Sequence, residues 1–179
     1  VNDYWEVIAN VAVVPTHYLG MAKEENGKLV HDIYDGKLVF IDPEGNRTVC
    51  DDCNYTDVIG EYVPPHSYAT HTYFKSAGYP DGIYRTNSLA MLNACQEMAT
   101  PLAEEARKEM FSKCLGSSED GQCIHHTFAY HWARIIEMVE SFEMIATLLK
   151  DPKILSDDIK VDVEPKEGQG VGMVDAPRG

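Results

Sequence analysis

The sequence predicts an α+β fold, in which a small antiparallel β meander at about residues 16–50 packs with long helices at about residues 87–114 and 120–150. Turn pairs such as Asn26-Gly27 and Asp35-Gly36 separate short apolar runs in the first part, as in hairpins. Apolar residues recur at helical spacing in the second part. Because 44% of the 179 residues are hydrophobic, the chain can bury a substantial core.

The β-rich part is predicted over residues 1–85. Strands are expected at residues 17–22, 28–34 and 37–42, with another beginning at Arg47. The apolar residues 1–15 fit either the end of a helix or a buried strand. Residues 51–85 are rich in tyrosine and interrupted by proline, so we expect an ordered but irregular segment lying over other elements.

The helical part is predicted over residues 86–179 and ends in a short strand. Asn87 or Ser88 can cap a first helix, and Thr100-Pro101 fits the start of a second, so residues 87–114 form two helices or one kinked near residue 100. Gly116 is expected to end that region. About thirty residues then form one helix of roughly 45 Å. Its predicted apolar stripe is Phe128, Trp132, Ile135, Ile136, Val139, Phe142, Ile145, Ala146 and Leu149.

Charge and cysteine content narrow the possible functions. The net charge of −14 argues against nucleic acid or an anionic membrane as a partner. No apolar run is long enough to span a bilayer. Five cysteines, an odd number at irregular spacing, fit a reducing cytoplasm better than a disulfide scaffold. Since the chain begins at Val1 and stops after Gly179, we expect one domain that is part of a larger subunit.

Two groups of residues suggest metal or redox chemistry without establishing it. Cys50 and Cys53 form one C-x-x-C pair, which could be a redox dithiol, half of a metal site or two unremarkable thiols. His126, Tyr130 and Arg134 share one helix face, with Glu137 one turn beyond, and such a set is more often structural than catalytic. We therefore predict no metal ligands in this chain.

The last dozen residues combine flexibility with a fixed charge. Glycines at 168, 170 and 172 let the backbone approach another group closely, because no Cβ intervenes. Val171, Met173 and Val174 can form a short buried strand. Pro177 stiffens the chain before Arg178, whose guanidinium stays charged and offers five donors.

Three stretches, in order, resemble the large subunit of nickel-iron hydrogenases. Residues 82–93, GIYRTNSLAMLN, continuing to TPLA at 100–103, resemble its G-P-Y-R-V-G-x-L-A-R-L-N … T-P-L-A segment. Residues 126–137, HTFAYHWARIIE, resemble its H-x-T-x-x-Y-H-W-A-R-x-I-E helix. Residues 171–179, VGMVDAPRG, resemble its G-x-V-E-A-P-R-G motif. The nearest likeness is to the cytoplasmic, viologen-reducing group linked to heterodisulfide reductase.

The resemblance implies reversible cleavage of H2 to protons and electrons at a nickel-iron centre with cyanide and carbon monoxide ligands in the full-length parent. It implies a catalytic role for Arg178 and places Asp175, Ala176 and Pro177 around the centre. The implied partners are an electron-acceptor complex, such as heterodisulfide reductase, and an iron-sulfur small subunit. The fold would be large-subunit-like.

The chain departs from this family pattern at several positions. Met91 replaces an arginine and Asp175 replaces a glutamate. Both terminal C-x-x-C pairs that bind the metals are absent, so the piece alone is expected to be inactive and to hold no cofactor. An exposed apolar face is expected where the small subunit and the rest of the subunit would sit, so self-association of the piece is plausible. Two alternatives stay open. One is a non-enzymatic scaffold related to the catalytic-core subunit of complex I, and the other is a small metal-binding module built on Cys50 and Cys53.

Overall fold

The computed structural model describes residues 2–50, 54–116, 122–168 and 170–172. A first layer holds the strands and a second holds three helices. The strands are β1 (His17–Glu25), β2 (Lys28–His31), β3 (Lys37–Ile41), β4 (Arg47–Cys50), β5 (Ile59–Tyr62), β6 (His71–Phe74) and β7 (Tyr84–Arg85). The helices are α1 (Trp5–Ile8), α2 (Tyr55–Val58), α3 (Ser88–Ala94), α4 (Pro101–Leu115) and α5 (Ala129–Leu148), with short 3-10 turns at Asn2–Tyr4 and Pro152–Leu155.

The main sheet is antiparallel but is not the simple meander that the sequence predicts. Its order is β2-β1-β3-β4, with β7 added parallel to β1. The first turn is as expected, since Asn26 and Gly27 both have positive φ. The second prediction is wrong, because β2 and β3 lie on opposite edges of β1 and do not pair across Asp35-Gly36.

The length of β1 explains this topology. Ala22 pairs with His31 on one edge and with Lys37 on the other, so the loop over residues 32–36 crosses the strand there. The crossing is close, because a Cβ on Gly36 would overlap the Asp32 carbonyl oxygen and lie 3.1 Å from the Ala22 nitrogen. Nine residues in β1 let two neighbours each use a different half of the strand.

The tyrosine-rich segment after β4 is more regular than predicted. Strands β5 and β6 pair antiparallel from Ile59 with Phe74 to Tyr62 with His71. The rings of Tyr62 and Tyr79 stack at 4.0 Å between centroids, and the Tyr79-Pro80 peptide bond is cis. The aromatic residues therefore hold a second small sheet together.

The region 87–114 contains two separate helices, which decides between the two alternatives. The side chain of Asn87 accepts a hydrogen bond from the Ser88 backbone and caps α3. Pro101 begins α4, and Gly116, with a φ of 71°, ends it as predicted. Residues 95–100 form the bend between them.

The last helix is shorter than the predicted element. Helix α5 has 20 residues, which is about 30 Å, and begins only at Ala129. Residues 122–125 have no regular secondary structure. There the fully buried Ile124 is bonded to one side chain twice: its amide donates to Oδ1 of Asn93 and its carbonyl accepts from Nδ2 of Asn93. A helix through this position would break that pair of bonds.

The main core lies between the first layer and α3, α4 and α5. The N-terminal segment is a short helix rather than a strand; its buried Trp5 packs edge-on against Trp132 at 6.0 Å. Residues 170–172 have no regular structure, and the rest of the predicted C-terminal strand lies outside the described residues. Within the described ranges, no helix is long and apolar enough to cross a bilayer.

Candidate functional site

An apolar cavity of about 350 Å³ lies between the main sheet and α3. Residues of β1, β3 and β5, the first residue of α2 and the middle of α3 contribute to its wall. The lining residues are Leu19, Gly20, Met21, Leu38, Tyr55, Ile59, Thr86, Met91, Val171 and Gly172. The cavity is therefore built from parts of the chain far apart in sequence.

Close contact between β1 and α3 forms the floor of the cavity. A Cβ on Gly20 would lie 2.7 Å from both the carbonyl oxygen of Ala90 and the Cβ of Ala94, so only glycine fits without movement. Beside it, the Met21 amide donates to Sδ of Met91 at 3.1 Å. Met91 is the position where the resembled motif has arginine, and here a thioether replaces that charge in an apolar environment.

The C-terminal segment returns to this cavity. Val171 and Gly172 are the last described residues, and both line it. The four predicted site residues follow shortly after but lie outside the described residues: Asp175, Ala176, Pro177 and Arg178. The residues just before the predicted site therefore lie against the cavity. The roles of the four site residues stay predictions.

A cluster of polar side chains connects strand β1 to the residues just before α5. The hydroxyl of Tyr18 donates to the Ile124 carbonyl at 3.0 Å and lies 3.1 Å from Nδ1 of His125. The Pro43 carbonyl can only accept, so Nε2 of His125 donates to it at 3.0 Å. These bonds join β1, the β3–β4 turn and the approach to α5.

Arg85 and Tyr130 extend this cluster towards the cavity. The Tyr130 hydroxyl donates to the carbonyl of Thr86, which lines the cavity, at 3.2 Å. Burial raises the pKa of Tyr18 and also that of Tyr130, the latter to about 12, although the charge of Arg85 opposes both shifts. Both phenols therefore stay protonated, and Nη1 of Arg85 is buried without a hydrogen-bond partner among the described residues.

Sequence reasoning placed Arg85, Asn93 and Tyr130 in motif stretches and His125 near the long helix, but gave Asn93 and His125 no role and did not notice Tyr18. The structure makes these residues central, because Asn93 and Tyr18 both bind the backbone of Ile124. The one feature of the sequence that indicates a buried polar role is a polar residue standing within an apolar run, as Asn93 does. His126, predicted to share a face with Tyr130, instead lies against Trp5 with ring centroids 5.2 Å apart.

The predicted cysteine pair is only partly described. Cys50 is buried at the end of β4, and Cys53 lies outside the described residues. No group of three histidine, cysteine, aspartate or glutamate side chains in the described ranges is arranged to hold a metal ion. The described residues therefore give the metal-module alternative no support.

Comparison with known proteins shows that the chain is similar to hydrogenase subunits. It is 49% identical over 179 residues to the vhu A-subunit of F420-non-reducing hydrogenase from Methanocaldococcus jannaschii, covering 99% of this chain and 40% of that protein. It is 36% identical over 185 residues to the iron-sulfur A-subunit of F420-non-reducing hydrogenase from Archaeoglobus profundus, covering 99% and 35%. No family model matches the chain.

The fold is also found in a solved hydrogenase. The crystal structure of an NAD+-reducing NiFe-hydrogenase in the H2-reduced state superposes with a TM-score of 0.83 at 29% identity. The match covers 99% of this chain and 38% of that one. The chain therefore spans about 40% of the length of the proteins it resembles, and the α+β class with an antiparallel sheet and helices is confirmed.

These comparisons correct the more specific predictions. The relatives from F420-non-reducing hydrogenases are named as A-subunits, one of them as an iron-sulfur subunit, and a further relative is named as the beta subunit of an NAD-reducing hydrogenase. None of these names is that of a large subunit. The identification as a nickel-iron large subunit is therefore wrong by this finding. The prediction of a nickel-iron centre in the full-length parent is wrong as well, because one relative is named as an iron-sulfur subunit. The broader likeness to hydrogenase subunits is confirmed.

The described cysteines do not fit an iron-sulfur cluster, the group that the Archaeoglobus name implies. A cluster needs several thiolates brought together. Burial instead raises the pKa of Cys95 and Cys114 to about 12 and that of Cys123 to about 11, which favours the neutral thiols. Cys95 follows α3 and Cys114 lies near the end of α4, so these thiols belong to different elements.

Proposed function

We propose that this chain is part of a hydrogenase subunit, and that the whole protein takes part in the reversible oxidation of H2 to protons and electrons. One observation carries the proposal: the chain is 49% identical, over 99% of its length, to a hydrogenase A-subunit. The TM-score of 0.83 to an NAD+-reducing hydrogenase also supports it at the level of the backbone fold.

Within that protein, we propose that the chain supports the C-terminal segment beside an apolar cavity. An apolar wall lowers the local dielectric, so a charge brought there acts more strongly than in water. Arg178 is the proposed catalytic cation because its guanidinium keeps its charge at any working pH. Asp175, Ala176 and Pro177 are proposed to shape the turn that presents it.

The proposed partners are other subunits of a hydrogenase complex. The relatives are named as subunits, which supports assembly with further chains. A heterodisulfide reductase acceptor, a cytoplasmic location and an iron-sulfur small subunit remain part of this proposal. The chain by itself is proposed to be inactive, since it spans about 40% of the length of its curated relatives.

The test uses the full-length protein in its native complex. H2-dependent reduction of a viologen dye is expected for the unaltered complex, and no reduction of coenzyme F420 is expected. Arg178→Ala should lower turnover by about 10²-fold or more, as for other preorganised charges, while Arg178→Lys should retain part of it. Lys166→Ala is the matched control, an exposed cation shortly before the segment.

Two results would contradict this proposal. An intact complex that neither consumes nor produces H2 would favour the scaffold alternative. Equal turnover in the Arg178→Ala and Lys166→Ala complexes would remove Arg178 from the reaction while leaving the hydrogenase assignment in place.

A further inference from the structure

Helix α5 is apolar on two faces, and the described residues cover only one. Trp132 and Ile136 are buried against the core. The other face carries Ile135, Met138, Phe142 and Ile145, and Leu149 continues it at the C-terminal cap. These five residues are 50% to 71% exposed, and we call them the outer seam. A helix that is apolar on several sides is usually buried on several sides.

The spacing of the outer seam selects the kind of partner. Its members follow one another at intervals of three, four, three and four residues along the chain. This is the alternation of a and d positions, whose side chains fit between those of a facing helix. A strand or an irregular loop presents no matching row of holes, so the surface fits a second helix.

The second half of α5 has few contacts of its own. After Glu140, no residue of the helix is buried by the described part of the chain. The exposed row extends over most of the helix and makes a continuous apolar surface. Monomeric proteins rarely expose such a patch beyond a few hundred Å², and a larger one marks an interaction site.

The length of the relatives indicates which part of the protein could supply a helix to face the outer seam. The chain covers 40% of the Methanocaldococcus jannaschii protein and 38% of the solved hydrogenase chain, which keeps the same fold. More than half of each related protein thus lies outside the matched region. We propose that a helix from this remaining part of the same subunit packs along the outer seam of α5.

This inference does not depend on the H2 chemistry. It rests on exposure, spacing and the length of the relatives, so the interface can be right even if the complex proves inactive. The reverse also holds, because H2 oxidation by the complex would say nothing about what covers α5.

The test places a photo-cross-linker on the seam. The full-length subunit in its complex carries p-benzoylphenylalanine in place of Phe142, a replacement that keeps an aromatic ring. After irradiation, peptide mass spectrometry should identify one cross-link to a segment of the same subunit outside these 179 residues. The control carries the same group in place of Tyr68, an exposed aromatic outside α5, and should give no such product.

Each other outcome overturns the proposal. A cross-link from position 142 to another subunit, or to a second copy of this one, would assign the seam to a different interface. The absence of any cross-link at 142, with the complex intact, would show that the seam faces solvent.

Discussion

At the scale of single residues, Asn87 combines a strained backbone conformation with a side chain that caps a helix. Its φ of 79° and ψ of −173° lie in a region that is almost restricted to glycine. The side chain compensates, because Oδ1 accepts from the Ser88 amide at 2.6 Å and from the Ser88 hydroxyl at 3.0 Å. The resembled motif has glycine here, so a different residue supplies a cap at the cost of backbone strain.

This compromise predicts an unusual order of stability for two variants. Asn87→Ala loses the cap and keeps the strain, so it should lower the free energy of unfolding by about 1–2 kcal/mol. Asn87→Gly loses the cap but relieves the strain, and should be more stable than the alanine variant by about 1 kcal/mol. Urea unfolding of both variants measures the difference. Equal stabilities would show that the conformation carries no strain.

At the scale of elements, the bend between α3 and α4 depends on carboxylates from the helices around it. Glu104 accepts from the Met98 amide at 2.8 Å, and Glu140 accepts from the Ala99 amide at 2.8 Å. Glu143 accepts from the amides of Leu102 and Ala103 at 3.1 Å. The start of α4 is therefore capped by a side chain of α5.

Removing this cap should weaken the contact between the two helices. Glu143→Ala leaves the first amides of α4 without their acceptor, so we expect a measurable loss in the free energy of unfolding. Glu105→Ala, an exposed acid on α4, should change it little. Thermal or urea unfolding of the two variants gives the comparison, and matching losses would argue against a capping role for Glu143.

At the scale of the whole molecule, one buried charged pair connects the sheet to the helix layer. His31 ends β2, and its Nδ1 lies 2.5 Å from a carboxylate oxygen of Glu140 on α5. Its Nε2 is 3.8 Å from Glu137. Burial alone would lower the pKa of His31, but the hydrogen bond to Glu140 and the charges of Glu140, Glu137 and Asp32 outweigh it and raise that pKa.

The raised pKa gives stability a definite dependence on pH. The folded protein binds the proton more tightly than the unfolded chain, so the stabilisation is fully present below the unfolded pKa of about 6.5. It is lost as pH rises through the higher folded pKa. The free energy of unfolding should therefore fall over that window in the unaltered chain.

Replacing His31 should remove this dependence. In His31→Gln we expect a nearly flat profile over that window and, near pH 6, a loss of about 3 kcal/mol, because the buried Glu140 carboxylate loses its cationic partner. His66→Gln, at an exposed position, should keep the original profile. Urea unfolding across pH 6 to about 9 compares the three proteins. A His31→Gln profile as steep as the original would assign the pH dependence to other groups.

The sequence determined much of the local structure. Asn26-Gly27, Asn87, Pro101 and Gly116 begin or end elements where predicted, because turn and cap preferences act over a few residues. The motif stretches also indicated a likeness to hydrogenase subunits, which the comparisons confirm. The cofactor and the particular subunit inferred from them were wrong, because short motifs do not fix which subunit carries them.

Only the tertiary structure decided the topology and the location of the candidate site. The placement of β2 and β3 on opposite edges of β1 depends on pairing between distant residues, which local spacing does not encode. Asn93 prevents a helix through Ile124 by bonding its backbone from 31 residues away. The cavity beside Val171 likewise exists only because several distant segments meet there, since a cavity is a property of packing rather than of any one segment.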